Sequence, residues 1–182
     1  FRPGWAATAF FGICQREPNR DDYTQSTPAG RPRPEMLLDW EAGIRRQTPD
    51  WNLSANLFFM DYRDQLVLDG RINDVGAYIR TNVPRSYRAG IEIQAAARLG
   101  RRLMLGGNAA FSRNKVQEFT EYRDNWDTGG QDAIRHENTD LAFSPPVVAR
   151  AEATWEILPA GKTYQLSVSL SGKYVGKQFL DS

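Results

Sequence analysis

The sequence predicts an all-β fold: an antiparallel sheet of about seven long strands. Three observations carry that prediction. Period-two alternation of apolar and polar residues recurs along the whole chain, and helical periodicity is scarce. The alternating stretches run for roughly ten to thirteen residues, longer than the usual ~5–6 and close to the ~9–11 a tilted membrane strand needs. Short and long links between them alternate strictly, so every short turn falls at one end of the sheet and every long loop at the other. That asymmetry marks a transmembrane β-barrel segment with short periplasmic turns and long extracellular loops. A soluble antiparallel sandwich is the competing reading, because periodicity does not say which face is inside.

The first stretch, Trp5–Arg16, sets Trp5, Ala7, Ala9, Phe11 and Ile13 on one face. The link 17–35 that follows is rich in charge and proline, and its acidic residues offset its arginines. Pro28, Pro32 and Pro34 suit an irregular loop that ends where the Glu35–Arg46 strand begins. There Leu38, Trp40, Ala42 and Ile44 alternate with Asp39, Glu41, Gly43 and Arg45. Past the short link 47–50, Trp51, Leu53, Ala55, Leu57 and Phe59 share a face. The long link 61–86 leads to Ala89, Ile91, Ile93, Ala95 and Ala97, and the short link 99–102 to Leu103, Leu105, Gly107, Ala109 and Phe111. The long link 115–146 precedes Val147–Ile157, and the short link 158–163 precedes Tyr164, Leu166, Val168, Leu170 and Tyr174.

Aromatic residues fall at the two ends of the apolar face. Trp51, Trp155 and Tyr164 lie beside short turns, and Phe59, Phe111 and Tyr174 lie toward the long loops, as membrane-interface girdles would. Tyr164 to Tyr174 is ten residues, about 34 Å at ~3.4 Å each and about 24 Å of height at a ~45° tilt, near the ~25 Å apolar band. Trp51 to Phe59 gives about 19 Å, a looser fit.

The opposite face is polar and would line the lumen. Its Glu41, Arg45, Arg88, Glu92, Arg150 and Glu152 are candidates for ion pairs across neighbouring strands or to a plug seated in the lumen. Ligand contact is expected at the long-loop end, where the first loop offers Arg20, Asp21, Asp22 and Tyr23 and the third offers Tyr122, Arg123, Trp126, Arg135 and His136. Aromatic rings and guanidinium groups suit stacking on catechols or sugars and pairing with carboxylates.

Composition excludes several other functions. The 23 basic and 22 acidic residues leave no drive toward nucleic acid. A single cysteine, Cys14, permits no intrachain disulfide and reads as a small apolar strand residue. His136 is the only histidine, so neither a transition-metal site nor any cofactor is expected. The aspartates Asp124, Asp127 and Asp132 around "DTGG" do not fit the spacing of a calcium loop and read as a turn. No nucleophile elbow, phosphate loop or His-Glu-x-x-His occurs, so no enzyme is expected. No apolar run is long enough for a helical span.

Several stretches resemble the C-terminal barrel half of TonB-dependent outer-membrane receptors, with a Bacteroidetes-like look. They are "REPNRDDY" at 16–23, "RPRPEMLLDWEAGIR" at 31–45 and the run 52–93, joined by "FSRNKVQEFTEY" at 111–122, "NTDLAFSPPVVA" at 138–149 and "KYVGKQFLD" at 173–181. The resemblance covers nearly the whole chain and lies in the order and spacing of the pieces. It implies a partial barrel domain over residues 1–182, strands thirteen to nineteen of the family's 22-stranded barrel. The plug domain, the TonB box and the closing strands would lie elsewhere, so a piece of a longer protein is expected. The implied function is active import of a large scarce nutrient (siderophore-iron, cobalamin or oligosaccharide) across the bacterial outer membrane. The implied partners are outer-membrane lipid, the ligand, and TonB acting through the plug. A passive porin-type barrel and a soluble carbohydrate-binding sandwich are the alternatives. The sandwich requires Trp51, Trp155 and Tyr164 to pack between two sheets.

Overall fold

A computed structural model describes residues 3–26, 30–72, 78–125, 127–158 and 164–179. It consists of β1 (Trp5–Arg16), α1 (Arg20–Gln25), β2 (Glu35–Gln47), β3 (Trp51–Ile72), β4 (Tyr78–Leu99), β5 (Leu103–Asn125), β6 (Gly130–Asp140), β7 (Val147–Leu158) and β8 (Leu166–Val175). All strand pairs are antiparallel and belong to one sheet, in the order β1-β2-β3-β4-β5-β7-β8, with β6 paired to β5.

Two of the three short turns, 47–50 and 99–102, close as predicted; the third, 158–163, lies outside the described residues but for Leu158. Between β2 and β3, the Thr48 amide donates to the Trp51 carbonyl at 2.8 Å, and the Trp51 amide donates to the Thr48 hydroxyl at 3.0 Å. Between β4 and β5, Gly100 takes a φ of +66°, which a residue with a Cβ adopts only at a cost.

The long links differ from expectation. Residues 61–86 and 115–146 are largely strand, so β3, β4 and β5 reach 22, 22 and 23 residues and an eighth strand, β6, is added. The sheet forks above the alternating region. β4 pairs with β5 from Leu99–Leu103 up to Ser86–Val116, while β3 and β4 continue together to Ile72–Tyr78. β5 leaves β7 at Phe111–Val147 and takes up β6 at Lys115–Asp140. Two bonds carry the ladder across this exchange: the Ser112 amide donates to the Pro146 carbonyl at 2.8 Å, and the Leu141 amide to the Asn114 carbonyl at 3.1 Å. The break falls at Pro145–Pro146, where two successive residues have no N–H to give a neighbouring strand.

Directly opposed residues share a face, so the register sorts the sheet into two surfaces. One carries Leu53, Leu57, Phe59, Phe111, Leu170 and Tyr174, all exposed. Trp51, Trp155 and Tyr164 are 41 %, 57 % and 76 % exposed on or beside a single sheet, so they do not pack between two sheets as the sandwich requires. Tyr164 precedes β8 instead of opening it. The compact core lies at the fork, where Val67, Val83, Val116, Phe119 and Leu141 pack together at 0–6 % exposure.

Candidate functional site

The long-hairpin end of the sheet collects the side chains that face solvent beyond the apolar band, and the first loop is folded down onto it. Asn19 caps α1 with a reciprocal pair: its Oδ1 accepts from the Asp22 amide at 2.8 Å, and its own amide donates to Asp22 Oδ2 at 2.9 Å. The other oxygen, Asp22 Oδ1, meets Arg80 of β4 at 3.4 Å. Further along the loop, Asn82 of β4 clasps Arg33. Its Oδ1 accepts from the Arg33 amide at 2.7 Å, and its Nδ2 donates to the carbonyls of Arg33 at 2.9 Å and Asp64 at 2.6 Å. Arg33 also pairs with Asp64. Glu35 closes the sequence, binding Arg16 at 2.9 Å through one oxygen and accepting the Leu66 amide at 3.0 Å through the other. Thus even-numbered side chains of β4 hold the first loop, while Val83 joins the core shared with β5 and the residues after β6.

Beside this clasp is a cleft lined by Arg16, Gln65, Arg80, Arg88, Leu141 and Phe143. Arg16 and Arg80 have carboxylate partners in Glu35 and Asp22. Arg88 has none among the described residues; its guanidinium lies 5.9 Å from the centre of the Tyr62 ring and its Nε is buried without a hydrogen-bond partner. A buried, unpartnered charged donor in a basic cleft is suited to an acidic acceptor supplied from outside. Among the described residues no group of three or more His, Cys, Asp or Glu side chains is placed to hold a metal ion.

The predicted ligand residues fall on two elements. Arg20, Asp21, Asp22 and Tyr23 share α1; Arg20, Asp21 and Tyr23 are exposed, whereas Asp22 is buried and committed to the cap and Arg80. Arg31 stacks over Tyr23 at 5.4 Å. Tyr122 and Arg123 lie on β5 opposite Ala133 and Asp132, and Arg135 and His136 lie on β6 opposite Thr120 and Phe119. Arg135 pairs with Glu118 at 3.0 Å and Glu137 at 3.7 Å. Trp126 lies outside the described residues. Sequence reasoning missed Arg16, Arg80 and Asn82 as site residues, because their partners Glu35, Asp22 and Arg33 lie far outside local spacing, 58 residues away for Arg80 and 49 for Asn82.

Several of the lumen charges make contacts within the sheet. Arg150 and Glu152 pair at 2.7 Å within β7 itself, and Glu41 accepts from Asn56 at 2.7 Å across β2 and β3. Among the described residues the ion pairs that join two strands are Arg16–Glu35, Arg85–Asp61, Lys115–Asp140 and Arg135–Glu118. On the apolar face, Phe59 belongs to a longer aromatic row. Phe11–Trp40, Trp40–Phe59 and Phe59–Tyr87 stand 5.3, 5.7 and 6.2 Å apart between ring centres.

Residues 1–182, the whole chain, match the family model described as TonB dependent receptor-like, beta-barrel. The chain belongs to the TonB-dependent receptor family. Its members are outer-membrane β-barrels, in which one face of the sheet meets lipid, and the exposed apolar side chains on one face of this sheet are of that kind. Among solved structures, the copper transporter OprC is similar at a TM-score of 0.69 and 15 % identity, covering 100 % of this chain and 26 % of that one. The siderophore receptor PiuA from Acinetobacter baumannii is similar at 0.68 and 16 %, over 96 % of this chain and 24 % of that one. A mutant of the ferric enterobactin receptor PfeA from Pseudomonas aeruginosa gives 0.60 and 16 %, over 97 % and 26 %. The chain therefore spans about a quarter of the length of the receptors it matches. No curated protein sequence matches it significantly.

Proposed function

We propose that this chain is a section of the barrel wall, without plug or closing strands, of an outer-membrane receptor that imports a large scarce nutrient with TonB-transmitted energy. The long-hairpin end faces outside the cell. The cargo that fits best is an acidic iron chelate, a ferric siderophore, ahead of cobalamin or a neutral oligosaccharide. The observation that carries this reading is the cleft of Arg16, Arg80 and Arg88, in which the Arg88 Nε lacks an acceptor. One of the similar structures is named a siderophore receptor and another a ferric enterobactin receptor, which agrees with it. Arg20, Asp21, Tyr23, Tyr122, Arg123, Trp126, Arg135 and His136 are proposed as secondary contacts during capture, and Asp22 as a support for Arg80.

The test is uptake of radiolabelled iron, supplied as ferric siderophores, by cells carrying or lacking the complete receptor gene and by cells lacking TonB. The reading requires uptake that depends on both. Uptake that persists without TonB would instead identify a passive barrel. In the complete receptor, Arg88→Gln should weaken the apparent affinity for an acidic chelate about tenfold, the loss of one charge-assisted bond of ~1.5 kcal/mol. Orientation is read separately: a cysteine replacing Thr128, in the turn between β5 and β6, should react with an impermeant maleimide on intact cells.

A further inference from the structure

The apolar outward face ends in positive charge. Two residues beyond Tyr87 is Arg85, two beyond Phe111 is Arg113, and four beyond Phe59 is Arg63. Arg63 stands directly opposite Arg85 across the β3–β4 pair, on the face that carries Phe59 and Tyr87. Like charges so placed repel, with their Cβ atoms only ~5 Å apart. Asp61, itself buried, reaches Arg85 at 3.3 Å and relieves one of them. On β5, Lys115 is paired with Asp140 at 2.7 Å. Arg63 and Arg113 are exposed, and neither side chain takes part in a hydrogen bond or ion pair among the described residues. Four cations thus share two carboxylates along this rim, a local excess the near-neutral chain does not have elsewhere on its apolar face. On the lumen face the flanking side chains Tyr62, Ser86 and Asn114 are uncharged, and the arginines there, Arg16, Arg80 and Arg88, belong to the separate cleft described above.

We infer that Arg63, Arg85 and Arg113 form a binding site for the phosphate-bearing headgroup of a membrane lipid, whose chains lie along the aromatic row Phe11, Trp40 and Phe59. Charge complementarity selects the headgroup, and the adjoining apolar face selects a lipid over a soluble anion. Rings at the band's edge and arginines just above it meet, in order, the acyl region and the phosphate layer of one leaflet. A phosphate oxygen between Arg63 and Arg85 also removes their mutual repulsion, which gives the bound state an advantage a lone arginine would lack. The inference needs the outward face to meet lipid, and it rests on the proposed orientation only for which leaflet supplies the lipid.

The test uses the complete receptor, purified in detergent, with dioleoyl phosphatidic acid as the probe and dioleoyl phosphatidylcholine as its comparison. Bound lipid is counted by native mass spectrometry. The receptor should retain phosphatidic acid over phosphatidylcholine, and the double variant Arg63→Gln, Arg113→Gln should lower that retention about 30-fold, near fivefold for each charge. The lumen variant Arg150→Gln should leave it unchanged, and millimolar inorganic phosphate should not displace the lipid. Equal retention by the double variant, an equal loss in Arg150→Gln, or full displacement by free phosphate would each overturn the inference. Should the double variant fail to insert, Arg113→Gln alone, with its fivefold loss, decides the matter. The assay contains no nutrient, so its failure leaves the import reading untouched, and maleimide labelling at position 128 reports orientation independently.

Discussion

Replacing Asn82 by alanine should release the first loop while leaving the barrel wall intact. The Asn82 amide makes three hydrogen bonds of 2.6–2.9 Å, two to the backbone of Arg33 and one to the Asp64 carbonyl. Each is worth about 1 kcal/mol net, and water recovers part of that at surface positions, so the loss is about 2 kcal/mol. Glu35 still holds Leu66, and Asp22 still meets Arg80, so the loop opens locally and stays attached at both ends. At 1.4 kcal/mol per tenfold, the opening equilibrium should shift about 30-fold. Amide hydrogen exchange of the complete receptor reads this directly. Peptides covering 17–35 should lose about 30-fold protection, and peptides covering 51–60 should not change. Asn82→Asp, which keeps the acceptor for the Arg33 amide and loses both donors, should fall between. Unchanged protection at 17–35, or an equal loss throughout the wall, would refute the clasp.

Other expected outcomes follow from the same structure. A Cβ on Gly90 would sit 2.7 Å from Phe58 Cζ and against the Phe111 carbonyl oxygen, so Gly90→Val should block β4–β5 pairing and lower the heat-modifiable folded fraction on electrophoresis. Phe58→Ala should rescue it only partly, since the carbonyl remains. Leu57→Arg, midway along the apolar band, should cost about 2–4 kcal/mol in urea unfolding from lipid vesicles, whereas Gln94→Arg on the lumen face should stay within about 0.5 kcal/mol. Val116→Ala, at 0 % exposure in the fork core, should cost about 2 kcal/mol, read as faster exchange in β5 and β6 above the fork with β7 and β8 unaffected.

The membrane-height strands were legible because one face meets lipid and the other a polar lumen, so composition alternates with the pleat. Above the band that contrast disappears. At Gln65-Leu66-Val67 both faces of β3 are covered, and no period-two pattern survives to mark a strand. In β6, "GQDAIRHENTD", polar residues occupy both sides, and the stretch reads as a loop until its pairing with β5 is seen. The six-residue α1 is announced only by Asn19 and Asp22, whose reciprocal bonding looked like a charged loop tip. The basic cleft was invisible for a different reason. Arg16, Arg80 and Arg88 come from the end of β1 and from the start and the middle of a long strand, and only the register brings them to one place.

The clasp on the first loop also imposes an order on assembly. Each strand pair in this region forms between neighbours in sequence, so the wall can grow hairpin by hairpin. The loop cannot finish so early: Arg33 waits for Asn82, 49 residues downstream, and Asp22 waits for Arg80, 58 residues downstream. Contacts of that separation form late, after the chain between them has been fixed. The surface displayed by α1 is therefore a maturation marker, absent from a barrel stalled before β4 and created only when the β3–β4 hairpin is complete. An antibody raised against that folded surface would recognise finished barrels and ignore stalled ones.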